Sequence, residues 1–279
     1  MSLLWNKSLQ LHVGPGHVTG VLRPAWASHR ILARSRHDFA RPASSHGTAT
    51  KAAAAAAPCR SAIQAVLTEM RESVAPRRAI DLRIVLPGSR VHFDVVSGDY
   101  GGASDRHLQS IATACVVEML GDDAARQMVR WQLQRDMRHL LISSMDTADV
   151  EDLIQISSQH RYSLRSLQPD FCTQWNQNVH ALEGNNGVFA SLGETHLIVA
   201  FVVKGSITAL SYGPIPGEPH GPPRNPQLIN EIDARVDRLL FSVGQNPSEI
   251  STFMLVASEQ GFVPITARWT LSNPSEDST

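Results

Sequence analysis

Residues Val188–Ile215 read VFASLGETHLIVAFVVKGSITALSYGPI. Three apolar runs are separated by a turn at Gly193 and another at Lys204-Gly205. Short runs rich in Val, Ile, Phe and Leu, bounded by glycine turns, predict consecutive strands joined as hairpins. The start of the chain repeats the pattern: Leu9–Val18 (LQLHVGPGHV) aligns with Val188–Leu197, with Gly14 falling on Gly193 and His17 on His196. An internal repeat governs the fold that the other signals are read into.

Outward from these hairpins, each copy continues in the same order. In the first, strands are predicted at 8–13, 17–22 and 30–37, then a helix at 60–74 and a strand at 80–86. In the second, strands fall at 187–192, 196–203 and 206–213, then a helix at 225–243 and a strand at 252–257. The helix of the second copy carries Leu228, Ile229, Ile232, Val236, Leu239, Leu240 and Val243 on one stripe, so it must lie on a sheet. A strand, a crossover helix and a further strand in one sheet favour a right-handed connection. The strand at 30–37 is basic, with Arg30, Arg34, Arg36 and His37, and suits an exposed face or an edge.

Between the copies, Val91–Val96 reads as a strand and Ser104 as the cap of a helix with apolar Leu108, Ile111, Cys115 and Met119, closed by Gly121. Strands at 128–133 and 140–144 follow. Asp146 or Thr147 caps a helix to His160, a short strand covers 162–167, and Pro169 opens a helix bearing Phe171, Trp175, Val179 and Leu182. Residues 40–58 are small, polar or alanine and predict a surface linker, with Pro58 limiting any continuation of the alanine run into the next helix. A last strand is expected at 263–271.

The chain has 279 residues, enough for two modest domains, and 42% hydrophobic content supports a packed core. Its net charge of −1 argues against nucleic acid or an anionic membrane as the main partner. Cys59, Cys115 and Cys172 are odd in number and lack CxxC spacing, so neither a disulfide framework nor a zinc site is indicated. The N-terminus lacks a signal-peptide pattern and no apolar run reaches the length of a membrane span, which predicts a cytoplasmic protein. The twelve histidines do not recur at ligand spacing, and no GxSxG, GxxxxGK[ST] or HExxH occurs.

This order resembles the actin-like (ribonuclease H-like) fold, and most closely the bacterial branch containing the pilus-assembly protein PilM and the cytoplasmic domain of the type II secretion protein GspL. The residues that carry the likeness are Leu9–Leu22, Ile84-Val85-Leu86-Pro87-Gly88-Ser89, Leu140–Ser144, Tyr162–Phe171 with Trp175, and Gly187–Val203 as a second phosphate loop. The resemblance implies a duplicated two-lobe α/β architecture with mixed sheets. Residues 1–183 would form the first lobe, with the linker at 40–58 and an inserted small subdomain at about 89–136; residues 184–279 would form the second.

The resemblance also implies a carboxylate two residues before each turn glycine, where it would hold magnesium and water near phosphates. This chain has His12 and Ser191 there. Gly14, Gly16 and Gly193 retain backbone N–H groups that a phosphate could use, or are ordinary hairpin glycines, and Glu194 is the nearest acid to the second turn. ATP with magnesium is therefore a doubtful cofactor. Three functions stay open. The first is a non-catalytic cytoplasmic scaffold of a type IV pilus or type II secretion-like assembly, reaching the inner membrane through a bitopic, PilN-like partner. The others are an ATP-binding or ATP-hydrolysing protein with a displaced carboxylate, and an adaptor unrelated to pili. The lost carboxylates favour the scaffold, because folds outlive their functions.

Overall fold

A computed structural model describes residues 7–24, 30–40, 49–73, 79–193, 195–215, 226–257 and 270–272. Contacts divide the chain into two compact units, one of Met1–Pro87 with Glu151–Pro169, the other of Gly88–Val150 with Asp170–Asp277.

The first unit holds strands β1 (Lys7–Val13), β2 (His17–Pro24), β3 (Ala33–Asp38) and β4 (Ile80–Leu86), with helix α1 (Ala49–Glu72) between β3 and β4. The later strand β8 (Tyr162–Pro169) completes a sheet of order β3-β2-β1-β4-β8. β1 runs antiparallel to β2 and parallel to β4. Alternation decides the faces. Leu9 and Leu11 of β1 and Leu82 and Ile84 of β4 point to one side and are buried there. Helix α1 lies on that side, so close that a Cβ on Gly20 of β2 would sit 2.5 Å from Val66 Cγ1. Ser35 Oγ donates to Glu69 on α1, and the Tyr162 hydroxyl donates to the Leu67 carbonyl at 3.1 Å. Helix α3 (Thr147–Gln159) lies beside α1, tied by an Arg60–Asp152 ion pair of 2.8 Å.

The second unit repeats this arrangement. Strands β9 (Asn186–Leu192), β10 (His196–Val203), β11 (Ser206–Pro214), β12 (Thr252–Ala257) and β13 (Thr270–Ser272) form a sheet of order β11-β10-β9-β12-β13. β9 is antiparallel to β10 and parallel to β12, as β1 is to β2 and β4. The duplicated mixed α/β architecture expected from the two hairpins is thus present strand for strand. Helix α5 (Pro226–Ser242) covers one face with Ile229, Ile232, Val236 and Leu240 against Val188, Ala190, Val199 and Phe201. Arg235 anchors it by donating to the carbonyls of Leu197 at 3.4 Å and Pro214 at 3.2 Å.

The opposite face of this sheet is also covered. Phe189, Ile198, Ala200, Val202, Met254 and Val256 pack against Phe171 and Leu182 and against Val91, Phe93 and Leu141. Phe171 belongs to α4 (Asp170–Asn178), whose Trp175 meets Phe189 edge-on at 5.4 Å. Phe93 and Leu141 belong to a three-stranded sheet of β5 (His92–Ser97), β6 (Gln127–Leu133) and β7 (His139–Asp146), ordered β5-β7-β6. Helix α2 (Asp105–Leu120) covers its other side through Leu108, Ala112 and Val116. The sheet needs β7, so the inserted strands run on past residue 136 to Asp146. Burial on both faces explains why β9 and β10 read as unbroken apolar runs.

Local signals account for the helix ends. Ser104 accepts from the His107 N–H, Gly121 closes α2 at φ +56°, and Asp146 accepts from the Ala148 N–H at 2.8 Å to start α3. One expectation fails. Helix α1 begins at Ala49 and runs through Pro58, where a linker to residue 58 was predicted. Pro58 lies inside the helix, where it removes one backbone hydrogen bond and crowds the carbonyl four residues earlier at a cost of about 3 kcal/mol; the six alanines of 52–57, with the highest helix propensity, and the buried Ile63, Val66, Leu67 and Met70 offset that cost. The rest of that linker, residues 41–48, and residues 258–269, which include most of the expected last strand, lie outside the described residues.

Candidate functional site

The two hairpin turns occupy the same place in their sheets and close in the same way. The Gly14 N–H donates to the His17 carbonyl at 2.8 Å, and the Gly193 N–H donates to the His196 carbonyl at 2.9 Å. Both amides are therefore spent inside their own turns. The Gly16 carbonyl accepts from the Phe39 N–H at 2.8 Å, which ties the first turn to the end of β3. None of these three glycines adopts positive φ. Glu194 lies outside the described residues.

Two residues before each glycine the surroundings differ. His12 is exposed on β1. The protein around it lowers its pKa, and the charges of Arg23 and His17 lower it further, so imidazole is favoured over imidazolium. Ser191 is 2% exposed, and its hydroxyl donates to Gln174 Oε1 on α4 at 2.6 Å. That bond commits the side chain to the core, where it cannot turn toward a ligand at the loop without leaving Gln174 unpartnered.

A carboxylate does stand at the second turn, from a place the sequence reading passed over. Asp170 opens α4, directly after β8, and its Oδ1 accepts the Phe171 N–H at 2.7 Å. A Cβ on Gly193 would lie 3.4 Å from Asp170 Oδ2, and one on Gly88 would lie 3.5 Å from Asp170 Oδ1. The bare backbones at 88 and 193 thus flank this carboxylate. Two signals were available: an acid at the first position of a helix after proline, and the Pro87-Gly88 pair closing β4. Neither shows in sequence that 88, 170 and 193 meet.

Other reactive groups are held quiet. Burial, and next the negative charge of Asp170, push the Cys172 thiol up to about 12, so it stays protonated. Burial first, then Asp94 and Glu118, raise the Cys115 thiol. Among the described residues no group of three or more His, Cys, Asp or Glu is placed to hold a metal ion, and no helix is long and apolar enough to cross a membrane.

No protein-family model matches this sequence, and no curated protein matches it. Solved structures do. A Bacteroides thetaiotaomicron protein of unknown function with an actin-like ATPase fold superimposes with a TM-score of 0.57 at 6% identity, over 92% of this chain and 83% of that one. The chain has the actin-like fold. The cytoplasmic domain of EpsL, an inner membrane component of the type II secretion system of Vibrio cholerae, matches at a TM-score of 0.55 and 11% identity, over 96% of this chain and 90% of its own. The PilM–PilN type IV pilus biogenesis complex matches at 0.57 and 9%, over 90% and 81%. At such identities the likeness is one of fold, and the actin-like fold hosts many activities.

Proposed function

We propose that this chain is a non-catalytic scaffold of a bacterial type IV pilus or type II secretion-like assembly, stationed at the cytoplasmic face of the inner membrane by a bitopic, PilN-like membrane protein. The observation that carries the reading is the state of the two turns: neither position two residues before the glycine has a carboxylate, Ser191 is bonded into the core through Gln174, and both turn amides are used in turn closure. Actin-like relatives from a pilus complex and a secretion system, each aligned over most of this chain, supply the setting. The test has two arms. Titration with magnesium-ATP by calorimetry and thermal shift is expected to give no heat and no stabilisation; stabilisation growing with ligand concentration over Kd defeats the non-catalytic scaffold. Co-purification with the cytoplasmic N-terminal segments of bitopic membrane proteins encoded beside this chain is expected to recover a partner, and recovery of none defeats the assembly role.

A second reading, a nucleotide-binding protein with a displaced carboxylate, draws on one observation, the seat of Asp170 between the backbones of Gly88 and Gly193. If magnesium-ATP does stabilise the chain, Asp170→Asn removes that stabilisation under this reading and leaves it unchanged otherwise.

A further inference from the structure

The face of the first sheet turned away from α1 has no helix over it within its unit, among the described residues. Ser8, Gln10 and His12 of β1, Thr19 and Arg23 of β2, and Arg83 of β4 point to this side by strand alternation and are exposed or half-buried, while Val21 and Val85 share it and are buried. On β3, Arg34 and Arg36 pair with Val21 and Thr19 and share the face. Arg36 is spent on Asp38 at 3.0 Å, and the face's other acid, Asp81, is spent on Arg165 at 2.9 Å. Among the described residues Arg23, Arg34 and Arg83 have no acidic partner. The Nε of Arg23 is buried and has no hydrogen-bond acceptor. The chain as a whole is close to neutral, so this is a local excess of positive charge.

We propose that this face docks an acidic polypeptide segment, with Arg23, Arg34 and Arg83 receiving its carboxylates. The planar guanidinium fork matches a carboxylate through two parallel N–H···O bonds. Burial is the first cause of the lowered His12 pKa, and the neighbouring positive charges of Arg23 and His17 lower it further. Serine, threonine and glutamine side chains between the arginines offer hydrogen bonds to a peptide backbone. Exposed Ile31 and Leu32 stand at the edge of this face, just before β3, so a lipid surface is the competing occupant that the test separates. The inference extends the scaffold reading by naming a partner chemistry; the nucleotide titration decides that reading separately, so either can fail alone.

The test is a fluorescence-anisotropy titration of the full chain against a labelled peptide alternating Glu and Ser, at low and high salt. Saturable binding that weakens with salt is expected. The double variant Arg34→Glu/Arg83→Glu should weaken it by about tenfold or more, since reversal adds repulsion to lost attraction. Arg106→Glu on α2, an exposed arginine elsewhere, should leave it unchanged. An unchanged thermal midpoint checks the fold of each variant, and Arg83→Gln replaces the double variant should that one fail to fold. Absence of saturable binding, equal loss in Arg106→Glu, or indifference to Arg34→Glu/Arg83→Glu each overturns the proposal. Tighter, arginine-dependent binding to phosphatidylserine vesicles than to the peptide overturns it in favour of a membrane.

Discussion

Where the second sheet places Phe189, Ile198, Val202 and Met254, the first sheet places Gln10, Thr19, Arg23 and Arg83 at the corresponding register. The two sheets share strand order, hairpin geometry and a helix on one face. They differ in what the other face meets. In the second unit α4 and strands β5 and β7 bury it; in the first, apart from buried Val21 and Val85, its described side chains are polar or basic. One backbone plan therefore serves as a core packed on both faces in one copy, and in the other as a sheet with a helix on one face within its unit, among the described residues. Packing on both faces is concentrated in one copy, and polar and basic side chains are kept on one face of the other.

The comparison breaks most visibly at its centre. Phe189 is fully buried and meets Phe171 at 5.9 Å and Trp175 at 5.4 Å, so Phe189→Ala should cost about 3–5 kcal/mol in urea unfolding. Gln10→Ala, at the matching place in the first sheet, should stay within about 0.5 kcal/mol. Equal losses would contradict the contrast between the two faces. On the helix-covered faces the asymmetry reverses. Gly20 corresponds to Val199, yet its Cβ would meet Val66, so Gly20→Val should cost about 3 kcal/mol although the second copy accommodates valine there. A neutral Gly20→Val would mean that α1 can withdraw from its sheet.

Smaller effects sharpen the contrast between the turns. Ser191→Ala leaves a buried Gln174 oxygen without its donor and should cost about 1–2 kcal/mol, while His12→Ala should cost little, both read from denaturant midpoints. The smallest effect is electrostatic. Hydrogen bonds from Ser35 and then from His37 hold the Glu69 carboxyl below its ordinary value of 4.5. A depressed folded-state pKa contributes stability that is present above the ordinary value and lost as pH falls through the depressed one. The stability difference between the native chain and Glu69→Gln should therefore be constant near neutrality and vanish on acidification below pH 4.5; a difference that grows with acid contradicts this link between α1 and β3.

Much of the contrast is written in the strands. SLQLHV alternates, with Leu9, Leu11 and Val13 on one side and polar residues on the other, the signature of a half-buried strand, whereas LIVAFVV does not alternate. The repeat, the turn glycines and the absence of acids at positions 12 and 191 are likewise legible, because they depend on spacing within a few residues. Asp170 and Gln174 were not. The sequence places them on a helix read for its apolar stripe, far along the chain from Gly88 and, by about two strands' length, from the turn they serve. The path of α1 through Pro58 was also misread, since the cost of one proline had to be weighed against a long alanine run and a sheet beneath.

By itself, then, the sequence determined the order of elements, the duplication of the hairpins and which side of each strand is apolar, since these follow from local periodicity and turn chemistry. Only the tertiary structure decided which faces are covered and which side chains gather at a turn. Those outcomes depend on segments far apart in the chain: Phe93, Leu141 and Phe171 reach the second sheet, and Asp170 reaches Gly193, through contacts that no local pattern encodes.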